Sequence, residues 1–277
     1  MTHAVAPTIE LLSGASIPVL GLGTWPLTDD EAATAVEQAI AAGYRLIDTA
    51  ENYGNEAGVG EGIRRSGISR EQLFITTKFN KKWHSADGVR QAFELSAAKL
   101  GVDYIDLLLV HWPNPAQDSY VDAVKGLAAL REEGLLRAIG VSNFKAHHLQ
   151  RLLDEGLVPD VNQIQLDPRH TRPELREFHA RNGIVTESWS PIGQGGALLQ
   201  DPVIDQLADK YGMTPAQIVL RWHLQLGLVA IPKSSNPMRI KQNINLFGFE
   251  LTDEEVGSLS AMDTGESDIA DSDSFGH

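Results

Sequence analysis

The sequence predicts an α/β fold, an eight-stranded (β/α)8 TIM barrel with a strand region capping its N-terminal side and a short C-terminal tail. Three observations carry that expectation. Counting from Pro18–Gly23, eight short apolar runs alternate with helical patterns, and the 277 residues suit a single barrel domain spanning 1–277. The runs lack the polar alternation of half-exposed strands, so a sheet made of them wants both faces covered and, once closed, leaves no edge. Three successive runs also end on ionisable residues, Asp48, Lys78 and His111, at the strand ends where such barrels gather their active groups.

Taken in order, Ser16–Trp25 reads as a strand with two glycines near its end. Asp29–Gly43 reads as a helix. Acids at Asp29, Asp30 and Glu31 complement its dipole, Ala33, Val36, Ala39 and Ile40 fall at helical spacing, and Gly43 stops it. The alternation then repeats as strand Arg45–Asp48 and helix Glu56–Ser66, strand Leu73–Lys78 and helix Ser85–Leu100, strand Tyr104–His111 and helix Ser119–Glu133. Gly67, Gly101 and Gly134 stand where those helices end. The second half continues with strand Leu136–Ser142, helix Lys145–Gly156, strand Val161–Leu166, helix Pro173–Asn182 and strand Ile184–Ser188. A pair of helices within Pro202–Gln225, a last strand at Leu228–Pro232 and helical segments near Pro237–Leu246 and Asp253–Ala261 complete the pattern. The tail, residues 263–277, is rich in Asp, Ser and Gly and is expected to be mobile, or ordered only over something beneath it. An open doubly wound sheet fits less well, because neither glycine cluster makes a dinucleotide turn. Gly21-Leu22-Gly23-Thr24-Trp25-Pro26 has proline where the third glycine belongs, and Gly58-Val59-Gly60-Glu61-Gly62 has the wrong spacing inside a helical stretch.

Composition narrows the function classes. A formal net charge of −14 argues against non-specific nucleic-acid binding. With no cysteine, thiolate catalysis, disulfides and Cys-based metal sites are excluded, and no metal is expected. Met1–Pro18 has no signal-peptide pattern and no stretch approaches 18 unbroken apolar residues, so a cytoplasmic protein that does not enter membranes is expected. A monomer is expected too.

Carboxylates are almost never fully buried unpaired, so Asp48 at a strand end asks for a cation, and Lys78 ends the next strand. Adjacent strands lie about 4.8 Å apart, close enough for the two side chains to meet. Tyr53, on the loop leaving the first of these strands, would project over the same opening as His111. A strand-end ion pair alone is usually structural, as is a lone tyrosine or histidine; four such groups at consecutive strand ends make a site. A phenol is a poor acid at neutral pH. The Lys78 ammonium would lower the Tyr53 pKa and make it a proton donor to a carbonyl oxygen, Asp48 would keep Lys78 charged, and His111 could donate a hydrogen bond to that oxygen. Two chemistries remain open. Lys78 could be a Schiff-base nucleophile, or a bound nicotinamide could supply hydride.

The second half of the chain favours the nicotinamide. Ser142, Asn143 and Gln163 offer groups suited to a carboxamide, and Trp189 a flat face for stacking. The loop Ser190-Pro191-Ile192-Gly193-Gln194-Gly195-Gly196 offers backbone amides to a pyrophosphate. Lys233, Ser234 and Arg239 surround a helix start, a setting for a 2′-phosphate that would favour NADPH.

Four motifs then match one family in order and spacing: Asp48-Thr49-Ala50-Glu51-Asn52-Tyr53-Gly54-Asn55-Glu56, His111-Trp112-Pro113, Ile139-Gly140-Val141-Ser142-Asn143-Phe144 and Ile231-Pro232-Lys233-Ser234. From Gly21 to the segment around Asn243 the chain resembles the aldo-keto reductases, most of all the bacterial branch that includes 2,5-diketo-gluconate reductases. The resemblance implies a catalytic tetrad of Asp48, Tyr53, Lys78 and His111. It also implies NADPH held by Gly23, Thr24, Ser142, Asn143, Gln163, Trp189, Ser190, Pro191, Ile192, Gly193, Lys233, Ser234, Arg239, Gln242 and Asn243, the last two facing adenine. Trp25, Asn52, Trp83, His111 and Trp112 would line a pocket for a small carbonyl substrate such as an aldehyde, dicarbonyl or keto-sugar acid. Asp167 stands where many relatives have histidine, Gln165 replaces a glutamate, and Gln242 replaces a frequent glutamate near the adenine. The family resemblance also takes in potassium-channel regulatory subunits, so an NADPH-binding regulatory module is a further alternative.

Overall fold

In the computed structural model, which describes residues 6–277, eight parallel strands follow one another around the barrel in chain order. They are β3 (Gly21–Gly23), β4 (Leu46–Asp48), β5 (Phe74–Phe79), β6 (Ile105–Val110), β7 (Leu136–Ser142), β8 (Val161–Gln165), β9 (Val185–Trp189) and β10 (Val229–Ala230). The ring closes where β10 meets the chain just before β3 and the chain just after β10 meets the end of β3: Leu20 bridges Ala230, Gly23 bridges Lys233, and the Ala230 amide donates to the Val19 carbonyl at 3.0 Å. A short hairpin of β1 (Thr8–Glu10) and β2 (Ser16–Pro18) precedes the barrel. Residues 1–5, where the expected domain begins, lie outside the described residues.

The single strand expected over Ser16–Trp25 is therefore two. Its first part pairs antiparallel with β1, the chain turns at Val19, whose amide donates to Pro7, and only Gly21–Gly23 joins the barrel. Trp25 falls outside any strand. The run Leu228–Pro232 is likewise trimmed to the two residues of β10.

The helices fall where the periodicity puts them. They are α1 (Asp29–Ala42), α2 (Glu56–Ser66), α3 (Ala86–Leu100), α4 (Tyr120–Glu132), α5 (Ala146–Asp154), α6 (Pro173–Arg181), α7 (Pro202–Tyr211), α8 (Pro215–Gln225), α9 (Pro237–Ile244) and α10 (Asp253–Ser260). Thr28 and Glu31 form a reciprocal capping box that starts α1, and Gly43, at φ 110°, ends it in a left-handed turn. The glycines of α2 are packing devices. A Cβ at Gly58 would sit 2.1 Å from the Asp29 carbonyl oxygen, one at Gly60 2.4 Å from that of Leu100, and one at Gly62 2.5 Å from that of Ala33. They let α2 lie against α1 and the end of α3, which explains why this cluster is no dinucleotide turn.

Alternate strand residues point to opposite faces. Outward, Ile47, Ile75, Leu108, Val110, Ile139, Val141 and Ile164 pack against the helices in the main core. Inward, the barrel has two levels. The lower is apolar: Leu46, Phe74, Leu107, Val161 and Val229 cluster with Leu11 and Ile17 of the hairpin segment, which covers that end. Two residues further along β4, β8 and β9 the inward positions become Asp48, Gln163 and Glu187, all buried.

The tail lies across the opposite, open end. Lys145 pairs with Asp271 and, at 2.6 Å, with Asp273; Arg172 meets Glu266 at 2.6 Å and His170 meets Asp268 at 3.0 Å. His147 and His148 also place Nε2 3.0 and 2.9 Å from the Asp273 carboxylate. The Lys145 amide donates to His148 Nδ1, which keeps the ring proton on Nε2, so that nitrogen has no lone pair for a metal. Burial, with His147 beside it, holds His148 down to about 4, neutral across the physiological range. The tail rests on the β7–α5 and β8–α6 loops and on the site described next.

Candidate active site

Lys78 stands at the centre of the open end. It is the sixth-from-last barrel strand's contribution, buried, and its ammonium has four neighbours: Asp48 Oδ1 at 2.7 Å, Asp48 Oδ2 at 2.9 Å, the Thr49 carbonyl at 2.9 Å and the Tyr53 hydroxyl at 3.3 Å. In-register pairing of β4 with β5 sets this up, since Asp48 lies opposite Thr76, two residues before Lys78. The Tyr53 and His111 rings meet edge to face with centroids 6.0 Å apart. The four groups predicted to converge do so.

Their loop is locked locally. The Asn55 amide donates to the Thr24 and Leu27 carbonyls at 3.1 and 2.8 Å, and the Thr49 hydroxyl donates to Asn55 Oδ1 at 2.7 Å. The Thr24 hydroxyl donates to the Asp48 carbonyl at 2.9 Å, so Thr24 serves the loop's geometry. Gly23 is required by the closure of the barrel: a Cβ there would lie 2.8 Å from the Ile231 carbonyl oxygen.

Burial works against the Lys78 charge, but Asp48 outweighs it and holds the ammonium above its ordinary range. Burial pushes Asp48 up while Lys78 and Gln163 pull it down; two short contacts to the ammonium decide for the ionised pair. Burial depresses His111 well below its usual value, with Lys78 and His277 adding to the effect, so the imidazole is neutral. Tyr53 corrects the expectation from sequence. Lys78 does pull the phenol down, but burial is the larger effect and Asp48 adds to it, so the phenol sits above its ordinary value.

Beyond the tetrad, Ser142, Asn143 and Trp189 form a connected set at the ends of β7 and β9. The Trp189 indole donates to Asn143 Oδ1 at 2.9 Å; Asn143 Nδ2 donates to Ser142 Oγ at 3.0 Å and to the His111 carbonyl at 3.1 Å; Ser142 Oγ donates to the Gln163 carbonyl at 2.9 Å. Asn143 adopts a left-handed backbone, φ 64°. Gln163 points into the barrel, with Nε2 2.9 Å from both Asp48 Oδ2 and Glu187 Oε2.

The loop 190–196 is less open to a pyrophosphate than expected. Ser190, Gly193, Gln194 and Gly195 all have positive φ, and the amides of Gly193, Gly195 and Gly196 are bonded inside the turn, to Ser190, Ile192 and Gly193. Pro191 has no amide hydrogen, which leaves few donors to offer. At the start of α9, Asn236 caps the helix by accepting from Met238 and Arg239. Lys233 and Arg239 are exposed and, among the described residues, have no ion-pair partner, while Ser234 is buried between them and accepts from the Asn236 amide at 3.1 Å. Gln242 is half-buried and Asn243 buried on the same helix.

Around the mouth, Trp83 is anchored by Glu51, whose two oxygens accept its indole proton at 3.1 and 3.0 Å; Asn52 bonds Asn80. Burial raises Glu51, and Lys82, Trp83 and the Asn80 amide more than reverse that, so it stays ionised. Trp25 is 54% exposed and stands apart from these contacts. Trp112 is buried under Phe275, ring centroids 4.8 Å apart, and His277 stacks edge-on to His111 at 4.8 Å. Asp167, noted as a departure from the family pattern, accepts from the Arg169 amide and contacts His170, a loop-shaping role.

Comparison with known proteins gives one answer. The model of the aldo/keto reductase family matches residues 19–264. A methylglyoxal reductase of Escherichia coli (strain K12) is 49% identical over 270 residues, 97% of this chain and 98% of that one. The crystal structure of an aldo/keto reductase from Brucella melitensis superposes with a TM-score of 0.90 at 45% identity, covering 94% of this chain and all of the other. A Bombyx mori aldo-keto reductase, solved in complex with NADP, superposes with a TM-score of 0.88 at 39% identity over 94% of each chain. A family pattern matched from the first barrel strand to the tail, in a barrel of the same shape, means that this chain belongs to the aldo/keto reductase family.

Proposed function

We propose that the protein reduces small aldehydes or ketones to alcohols with NADPH. The observation that carries the reading is the Lys78 ammonium bonded at once to Asp48 and, at 3.3 Å, to the Tyr53 hydroxyl. NADPH, when bound, supplies hydride to the carbonyl carbon. Tyr53 holds the proton that the carbonyl oxygen receives. Because burial keeps its phenol above the ordinary value, Tyr53 is fully protonated at neutral pH, and the adjacent cation stabilises it as the proton leaves. His111, neutral and at the same opening, orients the carbonyl by hydrogen bonding.

The residues fit the dinucleotide. Lys233 and Arg239, without ion-pair partners among the described residues, stand beside buried Ser234 in a chain of formal net charge −14, and suit a 2′-phosphate. Trp189, fixed by Asn143, offers its face for stacking. With Gln163 Nε2 committed inside the barrel, its carbonyl oxygen is what remains for a carboxamide. Of the lining groups, Trp83, Asn52, His111 and Trp112 surround the mouth, and Phe275 and His277 narrow it, which favours compact substrates. Methylglyoxal, named for the Escherichia coli relative, is one such compound.

The Schiff-base reading of Lys78 is disfavoured by its contacts. A nucleophilic amine must be deprotonated, and Lys78 is held charged with its hydrogens spent on Asp48, Thr49 and Tyr53. No helix among the described residues is long and apolar enough to cross a membrane. We read the protein as a cytoplasmic monomer that acts on a small molecule and binds no nucleic acid.

The test is NADPH consumption, followed by absorbance, against small dicarbonyls, keto-sugar acids and aromatic aldehydes. Turnover of at least one class is expected. Tight NADPH binding with no turnover across the panel would favour the regulatory-module reading, and borohydride trapping of a carbonyl on Lys78 would favour the lyase.

A further inference from the structure

Glu187 is a carboxyl in the barrel interior for which the reduction scheme has no use. It lies on β9, buried, directly opposite Gln163 on β8 and Val229 on β10. Its Oε2 accepts from Gln163 Nε2 at 2.9 Å, and that same nitrogen donates to Asp48 Oδ2 at 2.9 Å. The orientation of the Gln163 amide follows from chemistry. Both neighbours present acceptors, so the NH2 must lie between them and the carbonyl oxygen away. Each hydrogen of the NH2 then has one carboxyl partner, and the bridge gives Asp48 Oδ2, which Lys78 also holds at 2.9 Å, a second donor from the far side.

We propose that Glu187 is a positioning residue for carbonyl reduction, acting through Gln163 on Asp48 and thereby on the contact between Lys78 and Tyr53. Without an acceptor at Glu187, Gln163 is free to turn. Asp48 then keeps Lys78 as its one side-chain donor, and its carboxylate, with the Lys78 ammonium bonded to it, can shift relative to Tyr53.

The charge balance says in which form Glu187 does this. The interior already holds one anion, Asp48, and one cation, Lys78. An ionised Glu187 would add an uncompensated charge, and its Oε1 is buried with no partner among the described residues. Burial first, then the Asp48 charge, push Glu187 up to about 8 against the pulls of Gln163 and Lys78. The titratable groups that face it are Asp48 on β4, Lys78 on β5 and Tyr53 on the loop after β4; Val229 beside it is apolar. At neutral pH Glu187 is the neutral acid. As pH rises through its pKa it becomes an anion that repels Asp48, strengthens the hold on the Lys78 proton and raises the Tyr53 phenol further.

The inference rests on the tetrad reading above and is tested apart from it. Steady-state kinetics of the full-length protein with NADPH and its best carbonyl, from about pH 6 to about pH 10, should show a fall in kcat with a midpoint near 8. That limb is not Tyr53, whose phenol lies above its ordinary value. Glu187→Leu should lower kcat by about 10-fold or more while KM moves less than about 3-fold, as expected for lost alignment. Glu187→Gln, which keeps an acceptor and cannot ionise, should restore most of that kcat and flatten the limb. Wild-type kcat in Glu187→Leu, or an unchanged limb in Glu187→Gln, overturns the proposal. A second measurement needs no turnover: phenolate absorbance titrations of wild type and of Tyr53→Phe give Tyr53 by difference. In the Glu187→Gln background the Tyr53 midpoint should move down, and an unmoved midpoint overturns the proposal. A wild type that reduces no carbonyl sinks the tetrad reading, and the phenolate titration still decides on Glu187.

Discussion

The two levels of the barrel interior are made by the same strands and differ in what stands at alternate inward positions. On β4 the step is from Leu46 to Asp48, on β8 from Val161 to Gln163, on β9 from Val185 to Glu187. Below, Leu46, Phe74, Leu107, Val161 and Val229 interlock and need nothing but shape. Above, Lys78, Asp48, Gln163 and Glu187 must satisfy one another group by group, because an unpaired charge there has no water to turn to. A level built on shape tolerates exchange of one apolar side chain for another as long as volume is kept. A level built on paired charges tolerates altered volume poorly and altered charge not at all.

Substitutions at the two levels should therefore fail in different ways. The largest effect on turnover is expected from Tyr53→Phe, which keeps the ring and removes the proton: kcat should fall by about 10²–10⁴-fold while NADPH affinity, read by fluorescence quenching, stays put. Retained turnover would show that the upper level does not do the chemistry. Lys78→Met should lose activity and stability together, since it leaves Asp48 buried without its cation, at a cost of about 3–5 kcal/mol in denaturant unfolding. Leu107→Ala, below, should cost about 2–5 kcal/mol in the same assay yet leave kcat per folded molecule unchanged; a matching loss of kcat would erase the contrast between levels.

A smaller effect, confined to one cofactor, is expected at the rim. Replacing Lys233 and Arg239 together with neutral residues should weaken NADPH by about 10-fold or more and NADH little, as charge-assisted hydrogen bonds are each worth roughly 1.5–3 kcal/mol. Equal losses for both cofactors would remove these residues from the phosphate. The smallest effect lies outside the barrel. Burial opposes the Glu255 charge, but Lys210, Tyr211 and the Thr252 amide together outweigh it and bring it down to about 2 from an ordinary 4.5. A depressed acid contributes stability that is present above pH 4.5 and lost as pH falls toward 2. Glu255→Gln should flatten that acid dependence by no more than about 1 kcal/mol, since the Lys210 partner is exposed.

How much of this was legible depended on whether the partners stand near each other in the chain. An acid closing the apolar run before Thr49 and a lysine closing the next run were enough to pair Asp48 with Lys78, because consecutive strands of a parallel barrel are neighbours. Glu187 carries the same signal, an acid inside an apolar run. Its neighbour on the adjacent strand, Gln163, is uncharged and so gives no pairing signal, and Asp48 lies three strands away around the closed ring. The anchors of the tail were invisible for the same reason, since Lys145 and Arg172 meet Asp273 and Glu266 only after the barrel has closed. The upward displacement of the Tyr53 phenol could not be read from a neighbouring lysine, because it depends on how deeply the ring is enclosed. The split of Ser16–Trp25 was hidden by Thr8–Glu10, a segment too short to register as a strand until it pairs.

The hairpin segment that seats Leu11 and Ile17 under the strands closes that end of the barrel and, among the described residues, leaves the opposite mouth as the doorway. Two reactants that use one doorway must queue. Whichever lies deeper arrives first and departs last, so product-inhibition patterns should reveal a fixed order of entry for the dinucleotide and the carbonyl.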